Sequence, residues 1–374
     1  MDQQAKHHLA RQLMDEFAVA TGLTGTAPPR RYLWTDAFAV CNFLGLYREG
    51  GGSRDLELAL RLVDQVHHVL GRHRPDDSRQ GWISGLAKEE GERHPTRGGL
   101  RIGKGLPERR PDQSFDPRLE WERDGQYFHY LTQWMHALHR VGQEMGQPIF
   151  RDWAVELAQT AHARFTRSDV TGGQQRMVWK MSIDLGRVLV PSMGQHDPLD
   201  ALLAYLELRA DGGILDNEIR EARVLCADTE WETDDSLGIG ALLIGIFRLA
   251  DVITRFQAPE TELMARLVAA ARLSLEACRV SEPLSAPADS RLAFRELGLA
   301  IGLHAIERVG PSAAFGEGVR GALAALADYR PLAAAMEDFW SDPANRQRRS
   351  WTAHGDINGV MLATSLNPRG YLHS

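Results

Sequence analysis

The chain has 374 residues, a formal net charge of −7 and 43% hydrophobic residues, which are ordinary values for a globular protein. The acidic balance argues against a general nucleic-acid-binding protein. Three scattered cysteines, Cys41, Cys226 and Cys278, exclude a disulfide framework and a zinc finger and indicate a reducing compartment. The N-terminal segment lacks the apolar core of a signal peptide, and no apolar run reaches the roughly 18 residues that span a bilayer. We therefore predict a cytoplasmic protein that contacts neither nucleic acid nor membrane, with its oligomeric state left open.

Apolar residues recur at helical spacing along most of the chain. Leu9, Leu13 and Phe17 illustrate the one-sided pattern, whereas the segment 35–47 is apolar on most of its sides. About a dozen such segments, and no convincing alternating strand, predict an all-α protein. The predicted helices cover 5–18, 35–47, 54–70, 126–141, 150–165, 198–207, 215–225, 237–253, 261–278, 291–309, 318–340 and 351–366. A break is expected near Pro331, because proline interrupts a helix interior.

One stretch, 71–124, departs from this pattern. It is rich in Arg, Gly, Pro and Asp and shows no sustained period. A non-periodic stretch of this length within a compact domain is typical of a functional lid, a partner-binding segment or disorder. Five apolar residues indicate that parts of it pack down, namely Trp82, Ile83, Leu100, Ile102 and Phe115. We predict a single domain over 1–374 with a polar loop insertion at 71–124 that lies over its mouth.

The contrast between apolar and polar residues is greatest in the middle of the chain. Alternating residues over 179–184 are followed by an apolar run over 188–190. Asp197 and Pro198 then predict the start of a helix, because proline has no N–H to leave unpaired and aspartate accepts the N–H groups of the first turn. His196 and Asp197 are therefore expected at the mouth of this helix.

Strongly apolar helices alternate along the chain with one-sided helices. Helical hairpins with an inner and an outer member produce this alternation, and about six of them close a ring. The stretches that carry the pattern are RYLWTDAFAV at 31–40, DGQYFHYLTQWMHAL at 124–138, QHDPLDALLAY at 195–205, TDDSLGIGALL at 233–243, RLAFRELGLAIGLHAI at 291–306 and TAHGDINGVML at 352–362. Nearly the whole chain resembles the six-hairpin glycosidase-like, or (α/α)6-barrel, superfamily in the order of its helices. That superfamily includes many glycoside hydrolases and the N-acylglucosamine epimerase-like isomerases.

The resemblance implies an (α/α)6 toroid and a carbohydrate-active enzyme whose chemistry clusters at the starts of the inner helices. Glycoside hydrolysis needs one protonated and one ionised carboxyl group. The candidate carboxylates are Asp36, Asp197, Asp235 and Asp356. The candidate substrate-binding residues are Arg31, Trp34, Tyr127, His129, Arg291, Arg295, Trp351 and Asn358. An Asp at a helix start more often caps the helix, which stabilises it by about 1 kcal/mol, and Asp197 is the most cap-like of the four.

Other functions stay open. His196 and His354 suit a sugar epimerase or isomerase, which needs two bases on opposite faces of one carbon. A third interpretation is a non-catalytic protein that binds a carbohydrate or a partner on the same scaffold. A more distant one is a terpenoid cyclase-like enzyme, because the acidic run over 228–235 is similar to the acidic motif of terpene cyclases, although Glu232 stands where an Asp is expected.

No motif in the sequence indicates a metal or a cofactor. His136 and His139 have a spacing that metal ligands use on a helix, but the pattern supplies no further ligand. Residues 98–104, GGLRIGK, match the letters of a phosphate loop, but the preceding strand, the following helix and the Ser or Thr are missing. The basic residues between Arg97 and Arg110 could bind an anionic substrate. The simpler interpretation is a loop whose charges face water. The partner that we predict is a small-molecule carbohydrate.

Overall fold

The computed structural model describes residues 1–50, 52–168, 175–209, 214–227, 229–256, 258–278, 284–310 and 315–373. Most of them are helical, which confirms the predicted all-α class. The chain divides into two compact units, a first unit of Met1–Ala20, Arg48–Gly50 and Glu230–Ser374 and a second unit of Thr21–Tyr47 and Gly51–Thr229. The expectation of one domain over 1–374 stays a prediction.

The helices follow each other as α1 (Gln3–Ala20), α2 (Leu33–Arg48), α3 (Ser53–Leu70), α4 (Lys88–Arg93), α5 (Pro117–Glu122), α6 (Phe128–Met145), α7 (Pro148–Phe165), α8 (Asp197–Leu208), α9 (Asp216–Ala227), α10 (Ser236–Phe256), α11 (Thr261–Ala277), α12 (Ala293–Ile306), α13 (Glu317–Ala327), α14 (Arg330–Ser341), α15 (Pro343–Arg346), α16 (Arg349–Thr352) and α17 (Gly355–Leu366). The strands are β1 (Gln126–Tyr127), β2 (Thr166–Ser168), β3 (Gln175–Met177), β4 (Lys180–Met181) and β5 (Val188–Val190). The first unit holds α1 and α10 to α17. The second unit holds α2 to α9 and β1 to β5, apart from the last residue of α2.

The long predicted helices agree with the structure to within a few residues at each end. The predicted helix over 318–340 is divided into α13 and α14, and Pro331 lies at the start of α14, as expected. The predicted helix over 351–366 is also divided, into the end of α16 and the whole of α17.

The second unit also contains short strands, although the sequence shows no convincing alternating strand. β1, β4 and β5 form an antiparallel sheet with β4 in the middle, and β2 pairs with β3. Each strand is two or three residues long, so a period of two has too little length to be recognised in the sequence. The alternating residues over 179–184 contain β4, and the apolar run over 188–190 is β5.

In the first unit, α10 and α12 approach each other closely. A Cβ atom at Gly240 would lie 2.2 Å from the Gly298 carbonyl oxygen, and a Cβ atom at Gly302 would lie 2.6 Å from the Gly240 carbonyl oxygen. Real Cβ atoms do not tolerate such distances, so glycine is required for this packing. Among the described residues, α10 is the one helix long and apolar enough to cross a membrane, and most of it is buried.

A buried carboxylate ties four helices of the first unit together. Glu337 on α14 accepts hydrogen bonds from Lys6 Nζ, His304 Nε2 and Ser365 Oγ, each at 2.6 Å. These residues lie on α1, α12 and α17. Because the charge is paired and its oxygens are occupied, the carboxylate is tolerated inside the unit.

The non-periodic stretch 71–124 is packed into the second unit by buried polar contacts. The Asp124 carboxylate is fully buried and accepts a hydrogen bond from Arg101 Nη1 at 2.8 Å. The five apolar residues expected to pack down are buried except Phe115, which is 52% exposed. The Phe115 ring lies beside the guanidinium group of Arg109, 5.6 Å from its centroid, instead of in the core. That the stretch lies over the mouth of a ring stays a prediction.

Candidate functional site

The second unit carries a cluster of aromatic rings that is partly open to solvent. Trp121 lies near the end of α5, Tyr127 in β1, His129 and Tyr130 in the first turn of α6, and Trp179 just before β4. We call these five residues the aromatic platform. The ring centroids of Trp121 and Trp179 lie 4.9 Å apart, and those of Tyr127 and Trp179 lie 5.8 Å apart. Tyr127 stacks on His129 with 5.5 Å between the centroids.

A buried lysine fixes the geometry of the platform. Strand pairing places Lys180 of β4 opposite Tyr127 of β1. Lys180 Nζ donates to Glu120 Oε1 at 2.9 Å, to the Glu120 carbonyl oxygen at 2.6 Å and to the Arg123 carbonyl oxygen at 2.9 Å. Three donors meet three acceptors, which is the condition under which a buried ammonium group is tolerated. The contact holds α5, and therefore Trp121, against β4.

The platform combines apolar faces with polar edges. Trp121 is 49% exposed, and Trp179 and His129 are partly exposed. Lys104 Nζ lies 5.6 Å from the Trp121 ring centroid and 5.8 Å from the Tyr127 ring centroid, within the range of a cation–π interaction. Rings of this kind offer a large apolar face together with a polar group at the edge. A ligand that is apolar on its faces and polar at its rim, such as a sugar, matches this surface.

The segment that leads into α2 extends the platform. The hydroxyl oxygens of Tyr32 and Tyr130 lie 2.7 Å apart, and the Trp34 ring centroid lies 6.5 Å from that of Tyr130. Burial raises the pKa of Tyr32, Tyr127 and Tyr130 above the ordinary value of a phenol. The phenols are therefore uncharged at neutral pH and able to donate hydrogen bonds. Trp34, a predicted substrate-binding residue, is thus brought to the platform.

The hydrogen bonds of His129 determine its tautomer. Trp179 Nε1, which only donates, lies 3.3 Å from His129 Nδ1. His129 Nδ1 therefore accepts, and the proton of the neutral ring is on Nε2. Burial lowers the pKa of His129 to about 4, so the ring is uncharged at neutral pH. Its side chain is 28% exposed.

Asp197, in the first turn of α8, lies next to His129 with its carboxyl group buried. Asp197 Oδ2 accepts the Gly194 N–H at 3.2 Å, and Oδ1 lies 3.8 Å from His129 Nδ1. The second distance is too long for a hydrogen bond, and the neutral imidazole makes no ion pair. Burial, and after it the charge of Asp200, raise the pKa of Asp197 to about 8. At neutral pH the group is therefore largely a protonated carboxylic acid.

Two further predicted residues of the second unit are occupied in structural contacts. Asp36 Oδ2 accepts the Tyr32 N–H at 2.8 Å, and Asp36 Oδ1 lies 3.5 Å from Arg31 Nη1, with both side chains buried. A carboxylate that bonds the backbone before α2 and neutralises a buried guanidinium group stabilises the fold. His196 is the residue directly before α8 and is partly exposed.

Three predicted residues of the first unit also hold the fold together. Arg291 forms a buried pair with Glu296, at 2.8 Å to Oε1 and 2.5 Å to Oε2. Asn358 Oδ1 accepts the Phe294 N–H at 3.0 Å, and Asn358 Nδ2 donates to the Trp351 carbonyl oxygen at 2.9 Å. The Trp351 side chain is buried. These contacts explain the three residues as fold-stabilising groups.

The other predicted residues of the first unit lie at helix starts. Asp235 Oδ2 accepts the Gly238 N–H at 3.0 Å, so Asp235 caps α10, and its Oδ1 contacts Arg295 Nη1. The Asp235 and Arg295 side chains are 36% and 44% exposed. His354 directly precedes α17 and is exposed, and Asp356 lies partly exposed in the first turn of α17.

Sequence reasoning found part of the platform and missed the rest. Tyr127, His129 and Asp197 were predicted as site residues, whereas Trp121, Tyr130 and Trp179 were not. Tyr130 follows Tyr127 by three positions at a helix start, a signal that favours a shared face. Trp121 lies in the non-periodic stretch, and only the pairing of the short strands brings it to Trp179.

Within the described ranges, no group of three or more His, Cys, Asp and Glu side chains is arranged to hold a metal ion. In the acidic run over 228–235, Asp228 lies outside the described residues and Asp235 is the cap of α10. The described part of this run therefore adds nothing to the terpenoid cyclase-like interpretation.

No family model and no curated protein matches the chain. Among solved structures, the chain is similar to a crystal structure of an unsaturated glucuronyl hydrolase specific for heparin, with 16% identity, a TM-score of 0.36, and coverage of 73% of this chain and 84% of that chain. At this identity and TM-score the likeness is distant, and it assigns no residue, substrate or mechanism to this chain.

Proposed function

We propose that this chain is a carbohydrate-active enzyme of the glycoside hydrolase type, which binds a sugar on the aromatic platform and uses Asp197 as the proton donor. One observation carries the proposal. A half-exposed surface of aromatic rings has at its edge an imidazole whose Nδ1 lies 3.8 Å from a buried carboxyl oxygen.

Binding follows from the chemistry of the platform. The indole rings of Trp121 and Trp179 offer apolar faces to the C–H groups of a sugar ring. The hydroxyl groups of Tyr32 and Tyr130 and the ammonium group of Lys104 are polar partners for sugar hydroxyls at the rim. The platform therefore favours a ring-shaped polyol over an entirely apolar ligand.

Proton donation follows from the state of Asp197. A glycoside hydrolase needs a carboxylic acid that protonates the leaving oxygen while the glycosidic bond breaks. Burial keeps the proton on Asp197 at neutral pH, and the Gly194 N–H at 3.2 Å stabilises the carboxylate after the proton has left. Because the Asp197 side chain is only 4% exposed, the His129 ring has to turn aside when the substrate arrives.

Glu122 is the second carboxylate that we propose, as the base or nucleophile. It is exposed and follows Trp121 directly in α5. Burial raises the pKa of Tyr32, and the charge of Glu122 adds to that rise, so Glu122 lies within electrostatic range of the platform. The second carboxyl group of a glycoside hydrolase acts in its ionised form.

The epimerase alternative fits the geometry less well. Abstraction of a proton from carbon needs a base whose pKa is near the working pH. Burial lowers the pKa of His129 to about 4, which makes it a weak base. His196 lies in the second unit and His354 in the first.

The test is a titration of intrinsic tryptophan fluorescence with neutral and acidic saccharides, together with a hydrolysis assay on aryl glycosides. Trp121→Ala should weaken saccharide binding about tenfold, since ring stacking contributes on the order of 1 kcal/mol beyond burial. Leu119→Ala, a 44% exposed position on the same helix, is the matched control and should leave binding unchanged. Binding without hydrolysis would favour a non-catalytic carbohydrate-binding protein. Absence of both across the panel would refute the proposal.

A further inference from the structure

The second unit contains a further cavity of about 680 Å³ that the proposed function does not use. Its walls come from the non-periodic stretch and from residues 183–187, which follow β4. A cavity of this size accommodates a small polar molecule. Five arginines line it, namely Arg74, Arg79, Arg110, Arg123 and Arg187.

Each acidic residue of the cavity lies within ion-pair distance of an arginine. Arg79 lies 2.7 Å from Asp77, 2.6 Å from Glu108 and 2.8 Å from Asp184. These carboxylates therefore do not offer a site for a cation, because one guanidinium group bridges all three. The remaining lining carboxylate, Asp76, is paired with Arg74 at 2.7 Å.

Two arginines of the cavity have no carboxylate partner in the described part of the chain. Arg123 Nη1 donates to Gln113 Oε1 at 2.7 Å, and Arg187 Nη2 donates to the Arg109 carbonyl oxygen at 2.6 Å. Both acceptors are uncharged, so neither guanidinium group forms an ion pair with a described residue, and the charge of Arg187 acts on Asp184 only from beyond ion-pair distance. Each group also keeps several N–H donors for a ligand, since guanidinium has five.

We propose that this cavity binds a small molecule through an oxyanion group, a phosphate, sulfate or carboxylate, held by Arg123 and Arg187. A guanidinium group presents two parallel N–H donors, which matches the spacing of two oxygens on such an anion. The contacts that both arginines already make to Gln113 and to the Arg109 backbone hold the side chains in place before the ligand arrives. Ordering costs on binding are therefore small.

The oxyanion cavity and the aromatic platform are separate sites, but both use residues of the same two segments, 104–106 and 121–123. Leu106 and Arg123 form a bridge between these segments and line the cavity. Lys104 and Trp121, two positions earlier on each segment, contact each other and belong to the platform or its rim. No described residue of the platform lines the cavity, so the inference does not rest on the proposed function.

The test is calorimetric titration of the full chain with inorganic phosphate, sulfate, glucose 6-phosphate and glucuronate, with glucose as the uncharged control and ionic strength held constant with chloride. Arg123→Gln and Arg187→Gln should each weaken oxyanion binding by about tenfold or more, because each removes a charge-assisted hydrogen bond. Arg118→Gln is the matched control. It removes the same charge from an exposed position on α5 that does not line the cavity.

A measurement on the unaltered chain guards against a variant that fails to fold. Phenylglyoxal modifies accessible guanidinium groups, and mass spectrometry identifies the modified arginines. Phosphate should protect Arg123 and Arg187 and leave Arg118 unprotected. The proposal is overturned if none of the oxyanions binds, if Arg118→Gln weakens binding as much as Arg123→Gln, or if phosphate protects none of the cavity arginines. The relative affinities for phosphate, sulfate and carboxylate ligands identify the class of ligand.

Discussion

Two strongly apolar helices, α8 in the second unit and α10 in the first, each have an aspartate at their start. Asp197 is the first residue of α8, and Asp235 directly precedes α10. Asp235 is 36% exposed, caps α10 through the Gly238 N–H and contacts an exposed arginine. Asp197 is 4% exposed, and burial raises its pKa to about 8. The same residue type at the same kind of position is therefore a partly exposed cap in one unit and a buried, largely protonated acid in the other.

The difference lies in what covers each carboxyl group. At α8, His129 is a neutral ring and Gly194 supplies a single backbone N–H, and burial outweighs this one hydrogen bond in setting the pKa of Asp197. At α10, by contrast, Asp235 is 36% exposed and contacts Arg295. Position at a helix start thus determines which backbone groups an aspartate can meet, whereas burial determines whether it holds a proton.

The largest expected effect is a difference in kcat between variants of Asp197 and variants of Asp235. Asp197→Asn should lower kcat by about 10²–10⁴-fold on any glycoside that the unaltered chain cleaves, the usual contribution of a general acid. Asp235→Asn should leave kcat essentially unchanged, because asparagine also caps a helix and Asp235 lies outside the platform. Steady-state kinetics on the two variants measure both values. An equal loss in both variants would contradict the contrast between α8 and α10.

The next effect concerns stability against pH. The folded-state pKa of Asp197, about 8, lies above the ordinary value of 3.8, so between these values the folded chain holds a proton that the unfolded chain has lost. The free energy of unfolding should therefore fall as pH rises from about 4 to about 8 and should level off above that range. Asp197→Asn removes this titration and keeps an acceptor for the Gly194 N–H.

Denaturant unfolding at pH 5, 7 and 9 measures the prediction. The stability of Asp197→Asn relative to the unaltered chain should grow with pH by a few kcal/mol, since each pKa unit corresponds to about 1.4 kcal/mol. Asp200→Asn is the control. It removes the second cause of the raised pKa, so it should reduce the pH dependence without abolishing it. Parallel stability curves for all three proteins would show that Asp197 ionises normally in the folded chain.

The sequence predicts the helices well because each long helix repeats its apolar face several times. The break at Pro331 and the start of α8 both follow from local residue types. The five strands are too short for such repetition, and they were missed. The pairing of β1 with β4 joins residues 53 positions apart in the chain, Tyr127 and Lys180, which no local pattern encodes.

The candidate site was predicted in part for the same reason. Tyr127 and His129 stand at a recognisable helix start, and they belong to the platform. Trp121 has no periodic neighbourhood, and its place beside Trp179 depends on the buried Lys180. The Asp-Pro signal is local, and it makes Asp197 the most cap-like aspartate. The burial of Asp197 depends on residues that are distant in the sequence, so this local signal does not predict it.

A smaller effect tests the cap itself. Asp235→Ala should lower the free energy of unfolding by about 1 kcal/mol, because the Gly238 N–H loses its acceptor. Asp235→Asn should cost only a fraction of this, since asparagine caps nearly as well as aspartate. Urea unfolding of the two variants measures the difference. A loss of several kcal/mol in Asp235→Asn would mean that the charge, and not the cap, stabilises the start of α10.

The smallest effect concerns the ion pair at the start of α10. Asp235 and Arg295 touch, but both side chains are more than one third exposed, so water screens the attraction and competes for the same groups. A double-mutant cycle with Asp235→Asn and Arg295→Met should give a coupling energy between about 0 and 1 kcal/mol. Salt should lower it further, because exposed charges are screened. A coupling of several kcal/mol that resists salt would require a desolvated pair, and Asp235 would then resemble Asp197 in being shielded from water.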